Sequence, residues 1–186
     1  MKIVSILWVV ALIFLAGLSV RAENLPKNSV YNLKSKWKNV DGKEISLKDL
    51  QGENVLVSMV YTKCPHACPM IISKISKIEK ELSKKTKKNF KVVLASFDHK
   101  RDTPENLKAY GKSRKLDESK WIFLSPSDEA TARELAVVLG ISFKELDDGE
   151  FSHSNVIGLL DKNGVMKSKV ENLNADITPL VEAFKE

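Results

Sequence analysis

The chain has 186 residues, 43% hydrophobic and 29% charged, with 30 basic side chains against 24 acidic ones and a net charge of +6 at pH 7. That composition is globular, without repeats, low-complexity tracts or linkers, and it bounds the chain to one domain. Two cysteines in a chain of this length exclude a disulfide scaffold.

Residues 1–22 read as an export signal rather than as part of the fold. Lys2 opens a short basic region, Ile6 to Ala16 is apolar and uncharged, and Val20-Arg21-Ala22 offers small residues at the −3 and −1 positions of a cleavage site. The apolar stretch from Ile3 to Val20 approaches the length of a spanning helix, so a membrane tether through residues 3–20 is the alternative to cleavage. The domain is then 23–186. Without residues 1–22 the chain keeps 28 basic and 24 acidic side chains. The densest basic run, Lys84 to Lys88, falls where a helix should end and suits the negative end of its dipole. No aromatic or arginine residues interleave it, so no nucleic-acid surface is expected.

Beyond the leader, strand and helix patterns alternate. Tyr31 to Trp37 and Glu44 to Leu47 flank Asp41-Gly42 and predict a hairpin. Val55 to Tyr61 is a β-branched, continuously apolar run, which predicts a buried central strand. Apolar residues at 71, 72, 75, 78 and 82 give a helix over Met70 to Leu82 one buried stripe. Phe90 to Phe97 is a second buried strand. Thr103 then predicts an N-cap, with Pro104 at the first helical position and the helix running to about Lys115.

Trp121 to Leu124 predicts a strand, Asp128 to Leu139 a helix stopped by Gly140, and Ile141 to Phe143 a short extended piece. Residues 147–154 are rich in turn formers and read as a loop. Val156 to Leu160 and Val165 to Val170 predict a hairpin around Asn163-Gly164, and Asp176 to Lys185 a closing helix. The pattern is α/β: a mixed central sheet flanked by helices, with an N-terminal hairpin, the architecture of a thioredoxin-like fold.

Both cysteines, Cys64 and Cys68, fall on the corner between the first buried strand and the helix after it. Such a corner lies beside the positive end of a helix dipole, which favours a thiolate. At i and i+4 in a first helical turn, Cβ atoms lie about 5 to 6 Å apart. That separation suits two ligands of one metal ion and also a disulfide. Spacing leaves both open, together with a purely structural staple. Pro65 and Pro69 stiffen the loop.

Four blocks in order carry a wider likeness. Tyr61-Thr62-x-Cys64-Pro65-x-x-Cys68-Pro69, Ser96-Phe97-Asp98 with Arg101-Asp102-Thr103-Pro104 and Leu107-x-x-Tyr110, His153-Ser154, and Leu159-Leu160-Asp161-x-x-Gly164 resemble the Sco/SenC family across nearly the whole mature chain. The resemblance implies an exported, often membrane-tethered thioredoxin-like domain. It also implies a metallochaperone that binds copper, one ion per chain, and assists assembly of the dinuclear copper site of cytochrome c oxidase. Its ligands map onto Cys64, Cys68 and His153. Two thiolates suit Cu(I), and an imidazole lets the same site accept Cu(II).

Implied partners are the copper-site subunit of the oxidase or another copper chaperone, with a thioredoxin-like reductant. The implied compartment is the periplasm, with the protein either soluble or anchored to the inner membrane. Lys63, His66, His99 and Ser152 depart from the family pattern. They read either as drift in solvent-facing loops or, for Lys63 and His66, as a means of lowering a cysteine pKa and, for His66 or His99, as an accessory metal contact.

Two other functions fit the cysteine pair. A thiol-disulfide reductase needs one attacking and one resolving sulfur, and both are available. A peroxiredoxin-like peroxidase is disfavoured, because Thr62 lies two residues before Cys64 where that family spaces its threonine three before the attacking cysteine.

Overall fold

Among residues 24–65, 67–85 and 89–184, which a computed structural model of the chain describes, there are nine strands and four α-helices. In chain order these are β1 (Lys36–Lys38), β2 (Glu44–Ser46), β3 (Asn54–Val60), α1 (Ala67–Lys85), β4 (Phe90–Ser96), α2 (Pro104–Ser113) and β5 (Trp121–Pro126). Then come α3 (Glu129–Leu139), β6 (Phe143–Glu145), β7 (Phe151–His153), β8 (Ile157–Leu160), β9 (Met166–Val170) and α4 (Thr178–Ala183).

Seven strands form one sheet in the order β2-β1-β5-β4-β3-β8-β9. The apolar run from Val55 to Val60 is buried on both faces, as a central parallel strand requires. It pairs in parallel with β4, from Asn54↔Phe90 to Val60↔Ser96, and β4 pairs in parallel with β5. On its other side β3 pairs antiparallel with β8, through Val55↔Leu160. The sheet is therefore mixed, flanked by helices, and thioredoxin-like. β2 and β9 are its edges. The remaining strands, β6 and β7, form a separate two-stranded sheet.

α1 buries Ile71, Ile72, Ile75, Ile78 and Leu82, the predicted stripe, and Cys68 joins it. The helix begins earlier than the apolar period suggests. Pro69 falls in its first turn, where a missing N–H costs nothing because no intrahelical acceptor awaits it. Thr103 caps α2 as expected, its side chain accepting from the Asn106 amide, and Asp128 does the same for α3 through Thr131. Gly140 closes α3 at φ 73°, a left-handed conformation that glycine adopts without a Cβ penalty.

Three expectations change. The first hairpin strand is shorter than Tyr31 to Trp37, because the Ser29 hydroxyl accepts the Tyr31 amide at 3.1 Å and turns Val30–Asn32 into a 3₁₀ turn. Tyr31 is consequently a core residue, donating to the Leu50 carbonyl at 3.3 Å. The segment read as a loop, 147–154, contains β7, whose three residues are too few to display a period. The closing helix is a short one, Thr178–Ala183. Residues 1–22, read above as an export signal, and His66 lie outside the described residues, as does Lys185.

Candidate metal centre

β3 ends at Val60, and the chain must turn at once into α1. Tyr61 to Pro65 makes that turn, with the Cys64 amide donating to the Tyr61 carbonyl at 3.3 Å. Sγ of Cys64 then accepts the Cys68 amide at 3.3 Å, and Sγ of Cys68 accepts the Tyr61 amide at 3.5 Å. The Cys64 sulfur thus takes an N–H from the first turn of the helix, where negative charge is favoured, whereas the Cys68 sulfur takes one from the residue that follows β3. Cys68 is 0% exposed and Cys64 is 6% exposed, so an approaching molecule meets Cys64 first. The Cys68 thiol is pushed up, chiefly by its hydrogen bond with the Cys64 side chain and then by burial. Cys64 and Cys68 are not joined in a disulfide.

The turn is pinned from the neighbouring strand. Asp102, buried in the β4–α2 connection, accepts the Thr62 amide at 3.0 Å and the Ser96 hydroxyl at 2.6 Å. The Ser125 hydroxyl holds the Asp102 carbonyl at 2.7 Å. Burial raises the Asp102 carboxyl, and the hydrogen bonds from Ser96 and Thr62 offset part of that rise. Asp98, also buried, pairs with Arg101.

The third member arrives from β7. Ligand atoms of Cys64, Cys68 and His153 all lie within 4.8 Å of one another. Nδ1 of His153 lies 3.1 Å from the Ser154 carbonyl, so that nitrogen carries the proton and Nε2 keeps its lone pair for a metal. The ring sits against aromatics, edge-on to Tyr61 at 6.0 Å and tilted on Phe97 at 5.1 Å. Two buried sulfurs and a half-buried imidazole nitrogen make a soft, three-donor set that fits Cu(I) or Cu(II) and leaves a coordination position open.

Of the departures from the family pattern, His66 lies outside the described residues. His99 is not among the clustered ligands of the described residues. Lys63 and Ser152 are exposed. Sequence reasoning missed Asp102, which it read only as part of a helix start, and Glu150, which it left inside a loop. Glu150 accepts the Tyr61 hydroxyl at 2.6 Å.

A thioredoxin-like domain with a two-cysteine, one-histidine metal-ligand group at the corner after its central strand is the class this fold and site define. The SCO1/SenC family model matches residues 28–186, and the chain belongs to that family. It is similar to the SCO1 protein homolog of Bacillus subtilis, 26% identical over 76% of this chain and 78% of the relative. Among solved structures, a SCO1/SenC family lipoprotein from Bacillus anthracis superposes with a TM-score of 0.74 at 25% identity, covering 87% of this chain and 98% of its own. Copper-bound ScoI from Bradyrhizobium japonicum superposes with a TM-score of 0.65 at 26% identity, covering 81% and 96%.

Proposed function

We propose that the chain is an exported metallochaperone that holds one copper ion on Cys64, Cys68 and His153 and passes it to the dinuclear copper site of cytochrome c oxidase. The observation that carries this reading is the convergence of two sulfurs and an imidazole nitrogen within 4.8 Å, from elements far apart in the chain. Thiolates from Cys64 and Cys68 hold Cu(I) alone in near-linear coordination, and His153 adds the harder donor that Cu(II) needs. Three donors leave a position through which a partner's thiolate can enter and take the ion by ligand exchange. The partner is the oxidase subunit that carries the copper site, or another copper chaperone. Residues 1–22 take the chain to the periplasm, with removal before Glu23 or retention as a tether.

The test is metal content of protein beginning at Glu23, purified reduced and titrated anaerobically. One copper per chain is expected. Stoichiometric tight copper in the variant Cys64→Ser with Cys68→Ser would sink the assignment.

Thiol-disulfide reduction of partner cysteines is a second reading. It is favoured by the unequal exposure of the pair, with Cys64 placed to attack and Cys68 to resolve. Reduction of a disulfide in the oxidase copper-site fragment by metal-free protein, lost in Cys64→Ser, tests it.

A further inference from the structure

His153 is the one member of the cluster that does not grow out of the main sheet. It ends β7, which pairs with β6 through Phe143↔His153 and Glu145↔Phe151 in a sheet of two strands. A two-stranded hairpin is marginal in water by itself. Where His153 sits therefore depends on what ties the hairpin to the body.

The ties differ in kind. Phe143 stacks on Phe97 with centroids 5.1 Å apart, and Phe151 meets the same ring at 5.1 Å. These contacts are apolar and tolerate sliding. Lys100 reaches Glu145 at 2.7 Å, but both side chains are well exposed, and such pairs contribute little. The bond from the Tyr61 hydroxyl to the Glu150 carboxylate is directional and part-buried, with Tyr61 itself 2% exposed.

Tyr61 also touches the rest of the site. Its amide donates to Sγ of Cys68 at 3.5 Å, and its ring meets the His153 ring at 88°. The Arg101 guanidinium, itself paired with Asp98, lies 5.9 Å from the Tyr61 ring and 5.6 Å from the Phe151 ring. It closes the same junction from the side. One residue thus joins the cysteine corner, the histidine ring and the strand that carries the histidine.

We propose that Tyr61 and Glu150 form a latch that holds β7 against the cysteine corner and so sets how long His153 stays bonded to a Cu(II) ion. The inference rests on the copper reading above. With the latch closed, the imidazole stays grouped with the two sulfurs. When the Tyr61–Glu150 bond breaks, the hairpin can lift, the copper–nitrogen bond breaks with both electrons kept by nitrogen, and the ion remains on two thiolates with a vacant position. A partner's donor then enters where the imidazole was. Tyr61 and Glu150 are positioning residues, since neither supplies an atom to the metal.

The experiment compares wild type, Tyr61→Phe, Glu150→Ala and Glu150→Gln. In metal-free, reduced protein, hydrogen exchange is read at the amides of Leu146 and Ser154, which bond to the carbonyls of Glu150 and Ser142 at 2.8 and 2.9 Å. Tyr61→Phe and Glu150→Ala should speed exchange there on the order of tenfold, with β3 and β4 amides unchanged. Glu150→Gln, which keeps an acceptor oxygen, should restore most of the protection. Release of Cu(II) to a chelator should quicken by a comparable factor in the first two variants, while Cu(I) affinity stays within about twofold.

Unchanged exchange at Leu146 and Ser154 in Tyr61→Phe overturns the latch. Equal acceleration of Cu(I) and Cu(II) release overturns its action through His153. If His153→Ala holds Cu(II) as wild type does, the ligand role of His153 fails and takes the copper half of the proposal with it. The metal-free exchange result is independent of that outcome.

Discussion

The amide of Cys68 donates to the sulfur of Cys64 at 3.3 Å, so the two thiols are bound into one turn before any metal or oxidant arrives. Copper and a disulfide would draw on the same pair of sulfurs, and neither can form while the other is present. Oxidised protein should carry a Cys64–Cys68 bond and take up copper poorly until reduced. Copper titration of both forms, with free thiols counted in parallel, checks this, and equal affinity in the two forms would remove the redox link.

The hydrogen bond with the Cys64 side chain, and then burial, hold the Cys68 thiol above its ordinary range. The folded state therefore keeps this proton more tightly than the unfolded chain, whose thiols titrate near about 8.5. The corresponding stability is fully present below that pH and is lost as pH rises above it, because unfolding then releases a proton that folding must recapture. Urea midpoints of metal-free, reduced protein should fall between about pH 8 and 9.5, and more steeply in wild type than in Cys68→Ala. Parallel slopes would mean the thiol is not held in this way.

Asp102→Ala should destabilise the protein by about 2 to 4 kcal/mol, since it strands the buried Ser96 hydroxyl and the half-buried Thr62 amide. Asp102→Asn keeps an acceptor for Thr62 and removes a carboxylate whose burial is unfavourable, so its loss should be smaller, about 1 kcal/mol. Chemical denaturation of the reduced protein measures both. A loss in the asparagine variant as large as in the alanine one would contradict the pinning role.

Gly164, in the turn between β8 and β9, has φ 73°, and a Cβ there would lie 2.7 Å from the Tyr31 ring. Gly164→Ala should cost on the order of 2 kcal/mol through backbone strain and displacement of a buried aromatic. The thermal midpoint should drop, while copper stoichiometry stays at one per chain because the turn is remote from the cysteine corner.

How much of this was legible in the sequence follows the range of each interaction. Cys64 and Cys68 could be read locally, because a strand period, a four-residue spacing and a helix period meet within one short segment. β3, α1, β4, α2 and α3 were legible for the same reason: burial repeats inside each element. His153 was within reach only by resemblance, since no local period marks a histidine on a three-residue strand. Asp102 sat inside a recognised block but was read as part of a helix start. Its carboxylate instead works backwards onto Thr62, a contact across two strands. Glu150 looked like one more turn residue, because its partner, Tyr61, is distant in sequence and adjacent only after the hairpin folds over the corner.

The two edges of the main sheet bear on how the protein meets other molecules. β9 presents exposed Lys167 and Lys169, and β2 presents exposed Glu44, which pairs with Lys36 of β1 at 3.8 Å. Charged side chains along an outer strand discourage another chain from adding its own strand there. Encounters that would lead to fibrous or edge-to-edge association are thus penalised along the flanks. The reactive corner, at the carboxyl end of β3, remains open to approach along the strand direction. A crowded solution can then hold many copies without their being stitched into a growing sheet.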